Sequence, residues 1–387
     1  MEDVVIIGAG PYGLSAAAHL AAAGRRVRVF GTPMKTWADH MPDDMHLKSE
    51  GFASDLYDPR GEFPLAAYCA ENHIAYADIG LPVSRRVFTD YGVEFARRYV
   101  PMMQKTDVAA VRPATQGFNV ELQSGERLKT RHVVSAVGIT HYAHIASAFA
   151  GLPPHLVSHS SARADLSGFA GKSVAVVGSG ASAVDCASAL SKLGADTHLL
   201  SRRAAVNFHS PPRQRTLVER ARAPWTTIGP GWKSVLCTQA PLLFHAMPER
   251  FRVEITRRYL GPVGSWFVHE QIKKAVHVHV NALIKSATPS QSGVAIMFED
   301  ETRPPLLVDH VIAATGYRVN LARLGFLDPT LVPRIKLAAG APALSRSFES
   351  SVPGLFFVGP SAANAFGPMM RFACGAKFAS RRLVQRL

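Results

Sequence analysis

Two stretches of this chain carry the same hydrophobic rhythm: four consecutive apolar residues, a glycine-rich turn, then small residues at helical spacing. Val4-Val5-Ile6-Ile7 leads into Gly8-Ala9-Gly10-Pro11-Tyr12-Gly13, and Val174-Ala175-Val176-Val177 leads into Gly178-Ser179-Gly180-Ala181-Ser182-Ala183. Unbroken apolar runs of this length read as strands buried on both faces. The first stretch predicts a strand at 4–7, a helix at 13–23 and a strand at 27–30. The second predicts a strand at 173–177, a helix at 182–193 stopped by Gly194, and a strand at 197–200. Alternating or apolar runs predict further strands at 108–111, 118–122, 132–134, 276–285 and 293–298, with Gly117 and Ser124-Gly125 as turns. Three more apolar runs end in glycine, at 135–138, 311–316 and 353–359. Helices are expected at 85–99 and 368–386. The mixed stretch 35–105 and the Pro-, Arg- and aromatic-rich stretch 204–272 read as insertions, the latter mostly helical.

A strand running into Gly-x-Gly-x-x-Gly and a helix is the context of a dinucleotide site. One glycine makes the turn, the next lets the backbone approach a pyrophosphate, and the third position packs helix on strand. The pyrophosphate sits on the free N–H groups at the positive end of the helix. Two such sites predict two nucleotides bound together, a flavin and a nicotinamide. The expected fold is α/β, with two Rossmann-like dinucleotide-binding domains, the NADPH domain inserted into the FAD domain. The expected division is 1–150 and 306–387 for FAD, with 35–105 as a cap, and 151–305 for NADPH, with 204–272 as its helical insertion. After the strand at 27–30 an acidic residue normally holds ribose hydroxyls; here Gly31-Thr32-Pro33-Met34 stands instead. After the strand at 197–200 come Ser201-Arg202-Arg203, which suit a ribose 2′-phosphate and favour NADPH over NADH.

Composition narrows the class. With 387 residues, 47% hydrophobic and 19% charged, the chain has room for two folded domains. Cys69, Cys186, Cys237 and Cys374 are far apart, with no Cys-x-x-Cys or similar spacing, which argues against a disulphide framework and a cysteine metal site. No apolar stretch reaches membrane-span length, and the first strand begins too early to leave room for a leader. Free cysteines without a leader point to the cytoplasm. The net charge of +14 comes from scattered basic pairs such as Arg85-Arg86 and Arg257-Arg258, not from a basic run interleaved with aromatics. Nucleic acid is therefore not an expected partner.

The order of elements resembles the flavin-dependent monooxygenases of the two-dinucleotide type: the flavin-containing (class B) monooxygenases and the lysine and ornithine N-hydroxylases. The resemblance is carried by the two Gly motifs, by Ala314-Thr315-Gly316-Tyr317, and by the segment between the units. There Phe149-Ala150-Gly151-Leu152-Pro153-Pro154-His155 has the spacing of the flavin-containing monooxygenase motif, while His159-Ser160 fits its position before 168–172 better; both histidines stay open. Trp37 matches the tryptophan near the flavin, without the Gly pair that precedes it in the family. At the last strand Gly359-Pro360 replaces the usual Gly-Asp. The resemblance implies FAD contacts at Gly8, Gly10, Pro11, Tyr12, Gly13, Gly31, Trp37, Val108, Ala136, Gly138, Gly359 and Pro360. It implies NADPH contacts at Gly178, Ser179, Gly180, Ser182, Ala183, Arg202, Arg203, Thr315, Gly316 and Tyr317. It also implies a mechanism: NADPH reduces FAD, the reduced flavin forms a C4a-hydroperoxide with O2, and a small molecule takes the distal oxygen at N, S or C. The competing reading is an NAD(P)H-dependent flavoprotein reductase that serves a quinone or redox protein.

The cofactors carry such chemistry, so no nucleophile triad is required. Lys48 and Arg371 are the candidates for the active site, the latter as a stabiliser of anionic reduced flavin. His209, His245 and His269 lie in the second insertion, where surface positions are favoured and a substrate pocket is the alternative. His277 and His279 share a strand face, read as ordinary strand rather than metal ligands, and no metal is expected. Met369 and Met370 read as core filling. The expected partners are a small substrate and O2, with no membrane; a homodimer is an open assembly state.

Overall fold

The protein, described by a computed structural model over residues 2–213, 215–261 and 263–387, is built around two sheets with parallel cores. In the first sheet the order is Met103–Gln104, Val27–Phe30, Glu2–Ile7, Arg127–Ser135, Phe118–Leu122, Val108–Pro113, with Leu355–Phe357 also on Arg127–Ser135. Strand Arg127–Ser135 serves two systems. Its first half pairs antiparallel with Phe118–Leu122, and its second half lies parallel to both Glu2–Ile7 and Leu355–Phe357. Val4, Val5, Ile6, Val133, Val134, Phe356 and Phe357 are fully buried. That two-sided burial is why these strands read as continuous apolar runs rather than alternating ones. Helix Pro11–Ala22 packs on the C-terminal helix Gly375–Arg386.

The stretch 35–105 is only partly a cap. Helix Arg85–Tyr99 starts at Ser84, whose Oγ accepts the Val87 N–H at 3.2 Å. It connects Val27–Phe30 to the parallel strand Met103–Gln104, so it is the crossover of a βαβ unit and belongs to the sheet. Phe88, Tyr91 and Phe95 bury its inner face.

The second sheet is parallel, in the order His277–His279, Asp196–Leu200, Ser173–Val177, His310–Ala313, Val157–His159. His310–Ala313 lies inside it, so the second unit continues past the expected boundary at 305/306. The single strand expected at 276–285 is two strands: His277–His279 at the sheet edge, and Ile284–Ser290 in a separate antiparallel meander with Gly293–Phe298 and Leu306–Val308. The chain turns between them at Asn281, with φ 49°.

The stretch 204–272 is mostly helical, as expected: Leu217–Arg222, Trp232–Gln239, Pro241–Ala246, Glu249–Arg258 and His269–Ala275. Only the last of these packs within the second unit, through Ile272. Ile228, Cys237 and Phe244 enter the core of the first unit instead. Thr256 Oγ1 donates to the Ala363 carbonyl at 3.1 Å, and His245 Nε2 lies 2.9 Å from the Leu344 carbonyl. The helix expected at 368–386 is interrupted. A 3-10 turn, Pro368–Arg371, precedes helix Gly375–Arg386, because the carbonyls of Met370 and Phe372 turn to the buried Tyr12 hydroxyl at 3.0 and 2.8 Å. Among the described residues no helix is long and apolar enough to cross a membrane.

Candidate functional site

The two glycine turns are built on the same plan. Gly8 has φ +107°, its N–H donates to the Phe30 carbonyl at 2.8 Å, and a Cβ there would stand 2.5 Å from the Ala136 carbonyl oxygen. Gly178 has φ +147°, its N–H donates to the Leu200 carbonyl at 2.9 Å, and a Cβ would stand 2.5 Å from the Ala314 carbonyl oxygen. Both positions exclude a side chain on conformational and steric grounds. Gly10 and Gly180 then cap the two helices with nearly the same dihedrals, φ −88° ψ −172° and φ −94° ψ −176°. Around Gly10 a Cβ would meet nothing within 4 Å, so open space stands over the first helix end. Neither helix has an acidic residue in its first turn. Both ends therefore offer free N–H donors and a positive dipole end to an anion. At the third motif position a Cβ on Gly13 would overlap the Gly8 carbonyl oxygen, whereas the second turn has room for the methyl of Ala183.

The other residues expected at the first nucleotide gather round that turn. Gly31, with φ +130°, receives support from the Gln104 carbonyl, and the Met34 N–H donates to the Ala9 carbonyl at 2.9 Å, which folds 31–34 onto the turn. Trp37 packs edge-on against Phe88 at 4.8 Å, and Arg85 donates to the Trp37 and Ala38 carbonyls while pairing with Asp43 at 2.5 Å. Asp107, just before Val108, pairs with Lys35 at 3.8 Å, so the start of strand Val108–Pro113 lies beside the same loop. Gly138 follows Ala136 with φ +71°, and Gly359, also at φ +71°, lies against the Tyr12 ring. Tyr12 itself is buried, and its hydroxyl pins the C-terminal segment; Pro360 follows at the start of a 3-10 turn.

At the second turn Arg202 and Arg203 are exposed and make no ion pair among the described residues. Their loop is held by backbone bonds, Ser201 N–H to the His279 carbonyl at 2.8 Å and Asn281 N–H to the Arg203 carbonyl at 2.9 Å, and by the Ser201 Oγ, which accepts the Arg203 N–H at 3.1 Å. Thr315 Oγ1 donates to the His144 carbonyl, and Gly316 has φ +84°. Of the two open histidines, the structure brings His159 to this place and leaves His155 exposed. His159 is buried, with Nε2 3.0 Å from the Gly316 carbonyl, Nδ1 2.8 Å from Ser161 Oγ, and its ring edge-on to Tyr317 at 5.0 Å.

A cavity of about 530 Å³ opens where the cap, the helical insertion and the C-terminal segment meet. Lys48 lines it, with Nζ donating to the Val263 carbonyl at 2.6 Å. The surrounding protein pushes its amine below the usual range, against the attraction of Asp185. Asp185 projects from helix Ala181–Lys192. Its carboxyl is buried, Oδ1 lacks a partner, and burial pushes its pKa up to about 7 with Lys48 opposing. His209 also lines the cavity, and burial followed by the Lys48 charge lowers its pKa. Arg371 is not among the lining residues: its guanidinium donates to the Tyr259 carbonyl at 2.8 Å, and its neighbour Phe372 faces the cavity instead. His245 packs tilted against Phe366 and His269 against Phe208, and neither histidine lines the cavity. His277 and His279 form a side-chain network with Asp196 and His198, and no group of described residues is arranged to hold a metal. Met369 and Met370 are core. Sequence reasoning missed Asp185 and the aromatic walls Phe52, Trp225 and Trp266. The signal available for Asp185 was a carboxylate whose same-face neighbours on the helix are the small residues Ala181, Ser182, Ser188 and Ala189.

The model of the family described as pyridine nucleotide-disulphide oxidoreductase matches residues 5–222, more than half of the chain. The chain belongs to that oxidoreductase family. Among curated proteins none matches the sequence. Among solved structures, the reduced form of ornithine hydroxylase from Pseudomonas aeruginosa matches with a TM-score of 0.78 at 17% identity, covering 100% of this chain and 98% of that one. The FAD-bound cadaverine monooxygenase of desferrioxamine biosynthesis from Erwinia amylovora gives 0.77 at 16%, covering 100% and 94%. Bacillithiol disulfide reductase from Staphylococcus aureus gives 0.67 at 18%, covering 100% and 97%. At these identities the likeness establishes the shared two-unit fold.

Proposed function

We propose that this oxidoreductase is an FAD- and NADPH-dependent monooxygenase that transfers one oxygen atom to a small organic substrate at nitrogen, sulfur or carbon. The observation that carries the reading is the pair of equivalent anion cradles at Gly8–Gly10 and Gly178–Gly180, each closed by a carbonyl that leaves no room for a side chain. FAD fits the first cradle, with residues 1–150 and the C-terminal strand and helix as its unit. NADPH fits the second, where Arg202 and Arg203 are free for a 2′-phosphate. Bound flavin would accept two electrons from NADPH and use them to activate O2, one oxygen atom going to the substrate and the other leaving as water. The chain's own part is to hold the phosphates on backbone N–H groups, to place the substrate in the 530 Å³ cavity, and to keep water out of it. Lys48 supplies a fixed donor at that cavity.

A thiol-exchanging reductase is disfavoured by the cysteines. All four are buried and free; burial pushes the Cys186 thiol up to about 12 and those of Cys237 and Cys374 to about 11. Thiols so placed form little attacking thiolate. The ornithine hydroxylase and cadaverine monooxygenase neighbours support the oxygenase side. The test uses purified, FAD-loaded protein, NADPH and dioxygen labelled with the heavy isotope, over a panel of amines, thioethers, ketones and aromatic acids. Incorporation of one heavy oxygen atom into a product is expected. Fast NADPH-driven reduction of a quinone or disulphide, with no labelled product from any substrate, would replace the oxygenase by a reductase.

A further inference from the structure

We infer that the cavity takes an aromatic or similarly flat apolar molecule bearing an anionic group, rather than a free diamine or basic amino acid. This rests on the reading of that cavity as the substrate site. Its walls include Phe52, Trp225, Trp266 and Phe267, which favour a flat apolar body. Aromatic faces alone would also welcome a cation, so the charged lining residues decide the matter.

Three cationic side chains line the cavity, Lys48, Arg213 and Arg215, against one carboxylate, Glu50, among the described residues. Arg213 is neutralised by Glu219 at 2.5 Å. Arg215 is not: its guanidinium donates to the carbonyls of Ala223 at 2.7 Å and Glu219 at 2.6 Å and has no carboxylate partner among the described residues. It also lies 5.8 Å from the Trp225 ring, so a cation already occupies the neighbourhood of that π-face. Lys48 likewise hydrogen-bonds to a carbonyl, that of Val263, and has no ion pair among the described residues, although the buried Asp185 carboxyl attracts its amine; an ammonium has donors to spare beyond one hydrogen bond. Glu50, the one group that would receive an ammonium, already accepts the Gly80 N–H at 2.8 Å. An incoming ammonium would thus meet two cations with no carboxylate ion pair, of which Lys48 is only partly offset by the buried Asp185 carboxyl, and a carboxylate that is partly engaged. An incoming carboxylate would meet two charge-assisted donors.

The FAD-loaded enzyme is titrated calorimetrically with phenylpropionate and with phenylpropylamine, which share a ring and chain and differ in the sign of their charge. The anion is expected to bind about tenfold or more tighter than the amine, and Lys48→Met to remove about tenfold of the anion's affinity while Lys48→Arg retains it. Circular dichroism and flavin content establish that the variants are folded. Equal or tighter binding of the amine overturns the inference, and so does binding of neither probe, because the cavity is then closed or filled in the holoenzyme. The proposed oxygenase activity fails separately. Preferential binding of the anion with no labelled product from any substrate refutes only the oxygenase, whereas binding and oxygenation of amines refutes only the substrate class.

Discussion

Glycines at the first turn have two different reasons to be there, and alanine substitutions separate them. At Gly10 a methyl meets nothing within 4 Å, and the dihedrals φ −88° and ψ −172° suit any residue. Gly10→Ala therefore costs the fold only what a poorer N-cap costs, about 0.5–1 kcal/mol. The same methyl stands in the space where a pyrophosphate must approach the helix end. Losing one or two charge-assisted hydrogen bonds there, at about 1.5–3 kcal/mol each, weakens FAD binding by about tenfold for one weak bond and about ten-thousandfold for two strong ones. At Gly8 the reverse holds. The methyl would stand 2.5 Å from the Ala136 oxygen and 2.8 Å from its carbon, on a residue with φ +107°. Both obstacles are backbone in the sheet centre, so neither gives way cheaply, and Gly8→Ala costs about 3–5 kcal/mol or fails to fold. Bound flavin itself stabilises the native state by mass action, so unfolding in urea must be measured on the deflavinated proteins. FAD affinity is measured by retitration. Wild-type FAD affinity in a folded Gly10→Ala protein, or wild-type stability in Gly8→Ala, would refute the assignment of roles.

The remaining predictions concern other parts of the frame. Tyr12→Phe removes the buried hydroxyl that serves the carbonyls of Met370 and Phe372, and urea unfolding should show a loss of about 1–2 kcal/mol. Arg202→Ala and Arg203→Ala should each weaken NADPH binding by about tenfold and leave NADH unchanged, measured by fluorescence titration; equal effects on both would detach these arginines from the 2′-phosphate. Asp185 holds its proton in the folded state up to about pH 7 against an ordinary value of 3.8. The folded state then binds more protons than the unfolded one in that window, so wild-type stability falls as pH rises through it and levels off above. Asp185→Asn lacks this fall, and urea midpoints across the window compare the two. Phe244→Ala, in the helical insertion but within the first unit's core, should cost about 3–5 kcal/mol. Breaking the exposed Asp44–Lys192 pair, 2.7 Å long, should cost less than about 1 kcal/mol in the same assay.

What could be read along the chain was local. The buried strands announce themselves as apolar runs because both faces are covered, and the turns as glycines because carbonyls at Ala136 and Ala314 leave no space. Helix Arg85–Tyr99 is legible from its apolar spacing and its Ser84 cap, yet its role as a crossover is not, since strand Met103–Gln104 is only two residues long. The break before Gly375 depends on Tyr12, more than three hundred residues away, and no local propensity encodes it. The cavity is the extreme case. Lys48, Trp225, Val263 and Phe372 come from four separated stretches, and periodicity relates none of them. Arg371, placed at the site by its position after the last strand, turns instead to the Tyr259 carbonyl, a partner supplied by the helical insertion.

That insertion packs on both units beside the cavity. It belongs in sequence to the second unit, but Ile228, Cys237 and Phe244 bury into the first, and Gly367, with φ +90°, lets the Phe244 ring approach to 3.4 Å from where a side chain would begin. On the opposite side, the cap reaches the second unit through polar links: His40 to the Ser161 carbonyl at 2.9 Å, Asp44 to Lys192, and Lys48 to the Val263 carbonyl. Desolvated apolar packing outweighs exposed ion pairs, which contribute about 0–1 kcal/mol each. The insertion therefore fixes the two units relative to each other, and the polar links tune the cap around the cavity. Lys48 stands at the meeting point of both arrangements. It is carried by the cap, bonded to the insertion, and faced by a buried carboxyl of the second nucleotide helix, so a change in any of the three is felt at its amine.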